Sequence, residues 1–432
     1  MLVGMLTGCG PTKREQKAFH AVQAYMAGDF DRAAEKLRNL ADEKNEDFVL
    51  NNCRLGSTAL AAYQFDEAEA SFLRAYEVIN SYGVNDGGRS LGAILVDEKV
   101  KVWKGEPFER AMANFYLGLT YYIRQDYGNA RAAFENALFK LRDNTSDKDE
   151  KRDYAAQESN FVLATIMLGK CWTHLGRDDL AQANFDRALT LRPNLEEIAD
   201  LRTNKESNVL LVIDFGYGPK KATEFDGSIV GFKPTPDQVG SIPSPRVIVD
   251  GKPIALHNLD IPTIDLIEIA QDRRWQSIDT IRAIKSAVGT GLLLAGAYEG
   301  MRGMDGRGSA QRRDLTAAAI LLGSGLLLKA TSQADTRQWE MLPRTTFLLP
   351  LRLPPGRHDV TVDFPAVAGL KQEIIGLDVP SQGEATYYFR MQRWKSAPIH
   401  WPPGREKAQP SREPVSPLSQ TSPISLCGSR VA

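Results

Sequence analysis

One pattern of residues occurs twice, in register, between residues 109 and 194. Leu117-Gly118, Tyr121, Ala130, Phe134 and Ala137 recur as Leu168-Gly169, Trp172, Ala181, Phe185 and Ala188, and Pro193 closes the second copy. Residues three, four or seven apart share one face of a helix. Leu117, Tyr121 and Ile123 therefore give a first helix its buried stripe, and Ala130, Phe134, Ala137 and Leu138 give a second helix another. Gly118 and Ala130 are small where the two helices must approach closely, and Phe134 is large where a gap must be filled. Residues 124–128, Arg-Gln-Asp-Tyr-Gly, supply the breakers of the turn between them. Such a unit cannot bury its apolar face alone, so a chain that carries it must stack several.

Two degenerate copies precede these. AGDFDRAAEKL from Ala27, AYQFDEAEASF from Ala62, RQDYGNARAAF from Arg124 and LGRDDLAQANF from Leu175 align. The small residue recurs as Ala33, Ala68, Ala130 and Ala181, the large one as Leu37, Phe72, Phe134 and Phe185. Asp31, Asp66 and Asp179 stand where helix N-caps are expected. The first copy lacks the Gly and the aromatic of the leading helix, as a terminal capping repeat does. This order of residues resembles the tetratricopeptide repeat, a helix–turn–helix unit of about 34 residues. That resemblance implies a concave wall formed by the leading helices, here Leu50, Met112, Phe115, Leu119, Tyr122, Leu163, Ile166 and Lys170. The wall is mostly apolar and lacks a Lys, Arg and Asn cluster for clamping a terminal carboxylate. Its expected occupant is an apolar helix or strand of a partner, or a plug from the chain itself, with residues 94–103 the first choice.

At the N-terminus, Leu6-Thr7-Gly8-Cys9 resembles the lipobox of bacterial lipoproteins, in which the cysteine is lipidated. Residues 1–9 are read as a signal-peptide remnant and its lipobox, with Cys9 as the anchor. Residues 1–8 are short for a signal peptide and contain no Lys or Arg, so the reading frame is expected to begin upstream. Two insertions break the repeat register, residues 82–107 and residues 144–157, the second mostly charged. The first leads into WKGEPFERAMANFYLGLTYY from Trp103. Together with ADTRQWEMLP from Ala334, FGYGPKK from Phe215 and LPPGRHDVTV from Leu353, it resembles a largely uncharacterised family of bacterial envelope lipoproteins with tetratricopeptide-like N-terminal halves and β-rich C-terminal halves. The likeness is patchy and runs from residue 9 to residue 392. Its motif residues here are Trp103, Glu106, Glu109, Asp335, Arg337 and Trp339. The resemblance implies a role in the envelope, and weakly in cell-wall assembly. Arg337 is expected to pair with a carboxylate, and Trp339 to plug the core where helix meets sheet.

Beyond the repeats the helical period stops. Strands are expected at residues 208–215, 264–269, 346–353, 358–364, 373–379 and 385–391, with a hairpin over 246–254 turning at Asp250-Gly251. Two apolar runs, residues 286–298 and 315–328, share Gly-Thr/Ser-Gly-Leu-Leu-Leu around Gly291 and Gly323. Small residues four apart let helix backbones pack closely, which predicts an antiparallel hairpin. Each run spans roughly 20 Å, too short to cross a bilayer alone. The expected architecture is α+β. A repeat domain covers residues 14–200. A sandwich-like β-domain covers 208–392, interrupted by the hairpin at 278–332. Residues 393–432, rich in Pro and Ser, form a tail too poor in apolar groups to order.

Catalytic motifs are few. Gly88-Arg89-Ser90-Leu91-Gly92 has the letters of a hydrolase nucleophile elbow but follows a loop, where that elbow needs a strand. His20, His174, His257, His358 and His400 have no metal-ligand spacing, and no phosphate-binding loop occurs. Cys53 and Cys171 fall on apolar helix faces and read as buried packing. The formal net charge of -1 gives no field for nucleic acid. The expectation is therefore not an enzyme, with no cofactor, metal or nucleic-acid partner. The chain is read as a lipid-anchored, protein-binding scaffold of the bacterial envelope facing the periplasm. The alternatives are a membrane-inserted homo-oligomer built on the helical hairpin, and an envelope enzyme whose site uses Ser90 or the Asp335 region.

Overall fold

The computed structural model describes residues 12–80, 102–141, 160–195, 207–224, 229–233, 240–272, 337–392 and 397–403. The first half is a row of helix pairs: α1 (Lys13–Met26) with α2 (Phe30–Asp42), α3 (Phe48–Ala61) with α4 (Phe65–Asn80), α5 (Pro107–Ile123) with α6 (Tyr127–Lys140), and α7 (Val162–His174) with α8 (Asp178–Leu191). Each helix packs chiefly on its neighbours in sequence, so the array is linear. Three of the pairs close in the same way. A methyl group on Gly56, Gly118 or Gly169 would lie 2.7, 2.7 or 2.8 Å from the ring of Phe72, Phe134 or Phe185. The glycine leaves room for the ring, and the ring fills the room. In the first pair Leu37 takes the place of the ring and is buried.

The caps differ from expectation. Asp29 and Asp126 accept from Arg32 N and Asn129 N at the starts of α2 and α6. Asp31, Asp66 and Asp179 lie inside the first turns of α2, α4 and α8. There their charge complements the positive end of the helix dipole without capping it. Each helix starts two residues before the point the alignment placed it.

The second half contains two sheets. The first has the order β10 (Ala385–Met391), β1 (Val209–Phe215), β7 (Thr345–Leu351), β6 (Ile264–Asp265). In it β1 runs parallel to β10 and antiparallel to β7. The second has the order β11 (Ile399–His400), β9 (Lys371–Val379), β8 (Gly356–Asp363), β4 (Arg246–Val249), β5 (Lys252–Pro253). A separate ribbon pairs β2 (Lys220–Glu224) with β3 (Ile229–Lys233). Asp250 and Gly251, with φ of 50 and 75°, make the tight turn of the β4–β5 hairpin.

The first sheet is the middle layer. Val209, Leu211, Ile213 and Phe215 of β1 pack into one core with Val247, Val360, Val362 and Ile374 of the second sheet. Leu210 and Val212, with Leu348 and Tyr388, join the core of the helical array instead. Successive strand residues point to opposite faces, so β1 has to be apolar on both, and all seven of its residues are buried.

Two expected elements are corrected. The strand over 264–269 is only Ile264–Asp265, and Leu266–Gln271 is a short helix, α9, begun by Asp265 accepting from Ile267 N. The tail does not leave the domain at residue 393. Ile399 and His400 add to the edge of β9, and Trp401 packs edge-on against Tyr63 and Tyr387. A single Trp supplies the apolar area that the surrounding Pro and Ser lack. The expected helical hairpin at 278–332 and residues 404–432 lie outside the described residues. No helix among the described residues is long and apolar enough to cross a membrane.

Candidate functional site

The inner wall of the repeats is where function is expected, and the chain itself covers it. Three buried polar clusters tie the wall to the chain's second half.

Asp214 is the one charged residue of β1, fully buried and on the helix-facing side. Its carboxylate accepts from Tyr116 Oη of α5 at 2.6 Å, Tyr388 Oη of β10 at 2.8 Å and Thr346 Oγ1 of β7 at 2.5 Å. Arg390 completes the group, donating to Tyr25 Oη at 3.0 Å and Gly216 O at 2.7 Å. Burial raises the Asp214 carboxyl, against the Arg390 charge and the three hydroxyls, which lower it. Burial and the Asp214 charge push the Tyr116 and Tyr388 phenols well above their ordinary value, so they remain protonated donors.

Glu384, just before β10, forms the second cluster. Lys170 Nζ of α7 donates to it at 2.8 Å and Tyr122 Oη of α5 at 2.9 Å. His174 Nε2 lies 3.0 Å from Tyr122 Oη, and its ring stacks on Tyr127 at 4.0 Å. Burial would raise the Glu384 carboxyl, but Lys170 and His174 together hold it at about 2.

The third cluster joins two motifs that lie far apart in sequence. Glu109 accepts from Trp339 N at 2.7 Å and from Glu106 N at 2.8 Å. Lys221 pairs with Glu106 at 3.1 Å, both buried. Trp103 Nε1 donates to Arg337 O at 3.2 Å, and Arg337 pairs with Asp47 at 2.9 Å. Trp339 is buried against Phe72 and Tyr116. Burial raises the Glu109 carboxyl to about 7, against Lys221 and the backbone donors. Of the motif residues, Trp103, Glu106, Glu109, Arg337 and Trp339 therefore meet, and Asp335 lies outside the described residues.

The wall residues expected to receive a partner are not open. Leu50, Met112, Phe115, Leu119, Tyr122, Leu163, Ile166 and Lys170 are all buried. Phe115 points between helices, against Phe134 and Phe161. Tyr122 and Lys170 do face the sheet, where Glu384 occupies them. Tyr25, Arg54, Thr58, Glu109 and Tyr116 also front the chain's second half. Among the described residues the cover is the sheet with residues 337–342. Residues 94–101 lie outside the described residues, and Trp103 seals the margin. Asp214, Arg390 and Glu384 could not be read as site residues from local motifs; the one signal was a lone Asp in an otherwise apolar strand.

Among the described residues clefts open at both ends of the array, and another of about 660 Å³ lies between the turns at Gly28 and Tyr63 and residues 397–403. At the last repeat a cleft of about 720 Å³ has Lys170 and Glu384 among its lining, with His174, Asp178, Arg352 and Gln382. At the first repeat a cleft of about 710 Å³ runs beside α1 and includes Phe19, Val22, Arg54, Tyr217, Lys220 and Glu340. Cys53 and Cys171 are buried, and burial pushes both thiols up, so neither is a ready nucleophile. No group of three or more metal-ligating side chains occurs among the described residues. Cys9 and Ser90 lie outside them.

No family model matches the chain, and no curated protein matches it. Among solved structures it is similar to a crystal structure of MamA, with 15% identity over 43% of this chain and 82% of that one and a TM-score of 0.29. It is also similar to TTC0263, a thermophilic TPR protein in Thermus thermophilus, with 16% identity over 44% of this chain and 97% of that one and a TM-score of 0.21.

Proposed function

We propose that this chain is a lipid-anchored, protein-binding scaffold of a bacterial cell envelope. The observation that carries the scaffold reading is the occupied wall. Three buried polar clusters join the repeats to the chain's second half, two at the first sheet and one at Trp339 and Lys221. Repeats and sheets thus form one folded body that offers its ends and outer surface. Helical repeats of this kind present extended surfaces rather than a reaction chamber. The anchor reading is supported by Leu6-Thr7-Gly8-Cys9 and by the lipoprotein-like motifs at residues 103–109 and 335–343. The meeting of those two motifs in one cluster supports reading them as parts of one architecture.

The partner site is the cleft at the last repeat. It joins a buried ion pair to a polar rim, at the end of the array opposite α1. Envelope or cell-wall assembly is the process such a scaffold would serve. The test is crosslinking in intact cells, then affinity capture with peptide identification, for the parent and for Arg352→Glu/Gln382→Glu. One partner recovered with the parent and lost with the folded variant supports the reading. Equal recovery removes the cleft from it. Separately, Cys9→Ser should move the protein from the membrane fraction to a soluble pool, and unchanged fractionation removes the anchor.

A further inference from the structure

We infer that the cleft between the first two repeat turns and residues 397–403 receives an arginine-bearing basic segment of a partner protein. This surface is separate from the cleft at the last repeat, and the inference stands whether or not that cleft binds a partner.

At about 660 Å³ the cleft is in the range that encloses a drug-sized ligand and is too large for a bare ion. Two carboxylates line it, Asp29 and Asp31, and no Lys, Arg or His does. Each carboxylate is positioned through one of its oxygens. Asp29 Oδ1 accepts from Arg32 N at 3.2 Å, and Asp31 Oδ1 from Gln64 Nε2 at 3.2 Å. The side chain of Arg32 is exposed and outside the lining. Arg38 reaches the rim, donating to Gln64 Oε1 at 3.4 Å, but Glu67 holds it at 2.7 and 2.9 Å. Helix α3 ends in the cleft at Ala61 and Ala62, which brings the negative end of its dipole to the site. Gln372 of β9 gives an independent sign. It lines the same cleft, is only 2% exposed, and its Oε1 has no hydrogen-bond partner. A buried acceptor left unmet is rare in a folded chain. The charges of the lining, the helix end and the unmet oxygen all call for a cationic donor.

The rest of the lining selects arginine on a polypeptide. Phe30, Tyr63, Pro398, Ile399 and Pro403 are apolar. They take the methylenes of a long cationic side chain while its head meets the acceptors. A guanidinium presents five donors in one plane, which serves several separate oxygens better than the compact ammonium of lysine. A free amine would leave the apolar residues in water, and the two carboxylates repel nucleic acid and anionic lipid. The wall is also fixed. Tyr63 occupies the left-handed turn position, at φ 59°, that Gly28 and Gly176 hold in the first and last repeats. Its hydroxyl donates to Tyr388 O, and its ring meets Trp401 edge-on.

The test titrates the full chain with a fluorescein-labelled peptide, Ser-Arg-Pro-Arg-Ser, followed by anisotropy. Saturable binding that weakens with added salt is expected. The same peptide with citrulline in place of arginine keeps the shape, loses the charge and should bind far more weakly. Asp29→Asn/Asp31→Asn retains both side-chain acceptors, and with them the helix cap and the Gln64 bond, and should weaken binding by about fivefold or more. Gln372→Leu should weaken it severalfold. Circular dichroism checks that each variant folds, and if Gln372→Leu does not, the double Asn variant decides. Arg352→Glu/Gln382→Glu, in the other cleft, should bind the peptide like the parent. No binding by the parent, equal binding of the citrulline peptide, or a double Asn variant that binds like the parent overturns the inference. Loss of binding in Arg352→Glu/Gln382→Glu moves the peptide to the other cleft and overturns it as well. Spermidine that displaces the peptide at an equal concentration marks a site for free amines, and the inference falls. A chain ending at Pro403 that binds where the parent does not makes the chain's own tail the occupant, and the partner reading falls.

Discussion

Asp214 shows what a single buried charge demands. Its three hydroxyl donors come from α5, β7 and β10, so it reports whether all three are in place. Tyr116→Phe removes one donor and should cost about 1–3 kcal/mol in urea unfolding. Asp214→Ala should cost more, about 3–5 kcal/mol, because it leaves the buried Arg390 without its counter-charge. If the two variants unfold at the same midpoint, the charge pair carries no such weight. A second residue sets a pH dependence. His358 Nδ1 faces Asp250 Oδ2 at 2.7 Å and Nε2 faces Pro354 O at 2.8 Å. Both partners accept, so the ring is held as the cation. Its bond to Asp250 raises its pKa above 6.5. The stabilisation is therefore complete below pH 6.5 and fades as pH rises through the raised value. Asp250 is lowered by the same bond, so its contribution is lost only as pH falls through that lowered value. Unfolding midpoints measured from pH 5 to 9 should fall on the alkaline side in the parent and stay flatter in His358→Gln. Asp214 and its three donors could not be paired from sequence, since they lie 98 to 174 positions apart along the chain.

The helix pairs were readable because their rule is local. Gly118 and Phe134 are sixteen residues apart and meet through one turn. Gly118→Ala and Gly169→Ala should each destabilise the protein by about 1–3 kcal/mol through overpacking. Gly128→Ala, whose added carbon meets only Asp126 Oδ1 at 3.9 Å, should be neutral or stabilising by up to about 1 kcal/mol. Thermal melts of the three variants compare them directly, and equal losses would show that the ring does not need the glycine. The wall was read one position round the helix. Phe115 precedes Tyr116 by one residue, about 100° round the helix, and Met112 follows Glu109 by three, about 60° round. Apolar spacing marked a buried stripe correctly. It could not say whether the stripe faced another helix or a sheet, because both kinds of contact exclude water. Polar residues on the same helix, Glu109 and Tyr116, held that information. They meant nothing until their partners on β1 and near Trp339 were placed.

At the scale of the molecule, repeats and sheets share one core. Lys170 and Glu384 pair at 2.8 Å across that junction, both nearly excluded from solvent. Glu384→Ala should cost about 3–5 kcal/mol, since it leaves a buried ammonium alone. Unfolding followed by helical circular dichroism and by tryptophan fluorescence should give one coincident transition. Two separated transitions would mean that the halves are independent. The α+β division was readable from the change of period near residue 208. The docking was not, because it joins faces contributed by opposite ends of the chain.

The pairing of β1 with β10 also sets a clock. The last repeat helix ends at Leu191 and β10 ends at Met391. At roughly 5–20 residues per second, synthesis of the intervening stretch takes on the order of 10–40 s. Throughout that interval the array lacks its complete cover: Lys170 has no Glu384, and Asp214 no Tyr388. A newborn chain is therefore a different object from the finished one. It displays an apolar wall that the mature protein never shows, and anything able to hold that wall has half a minute in which to do so.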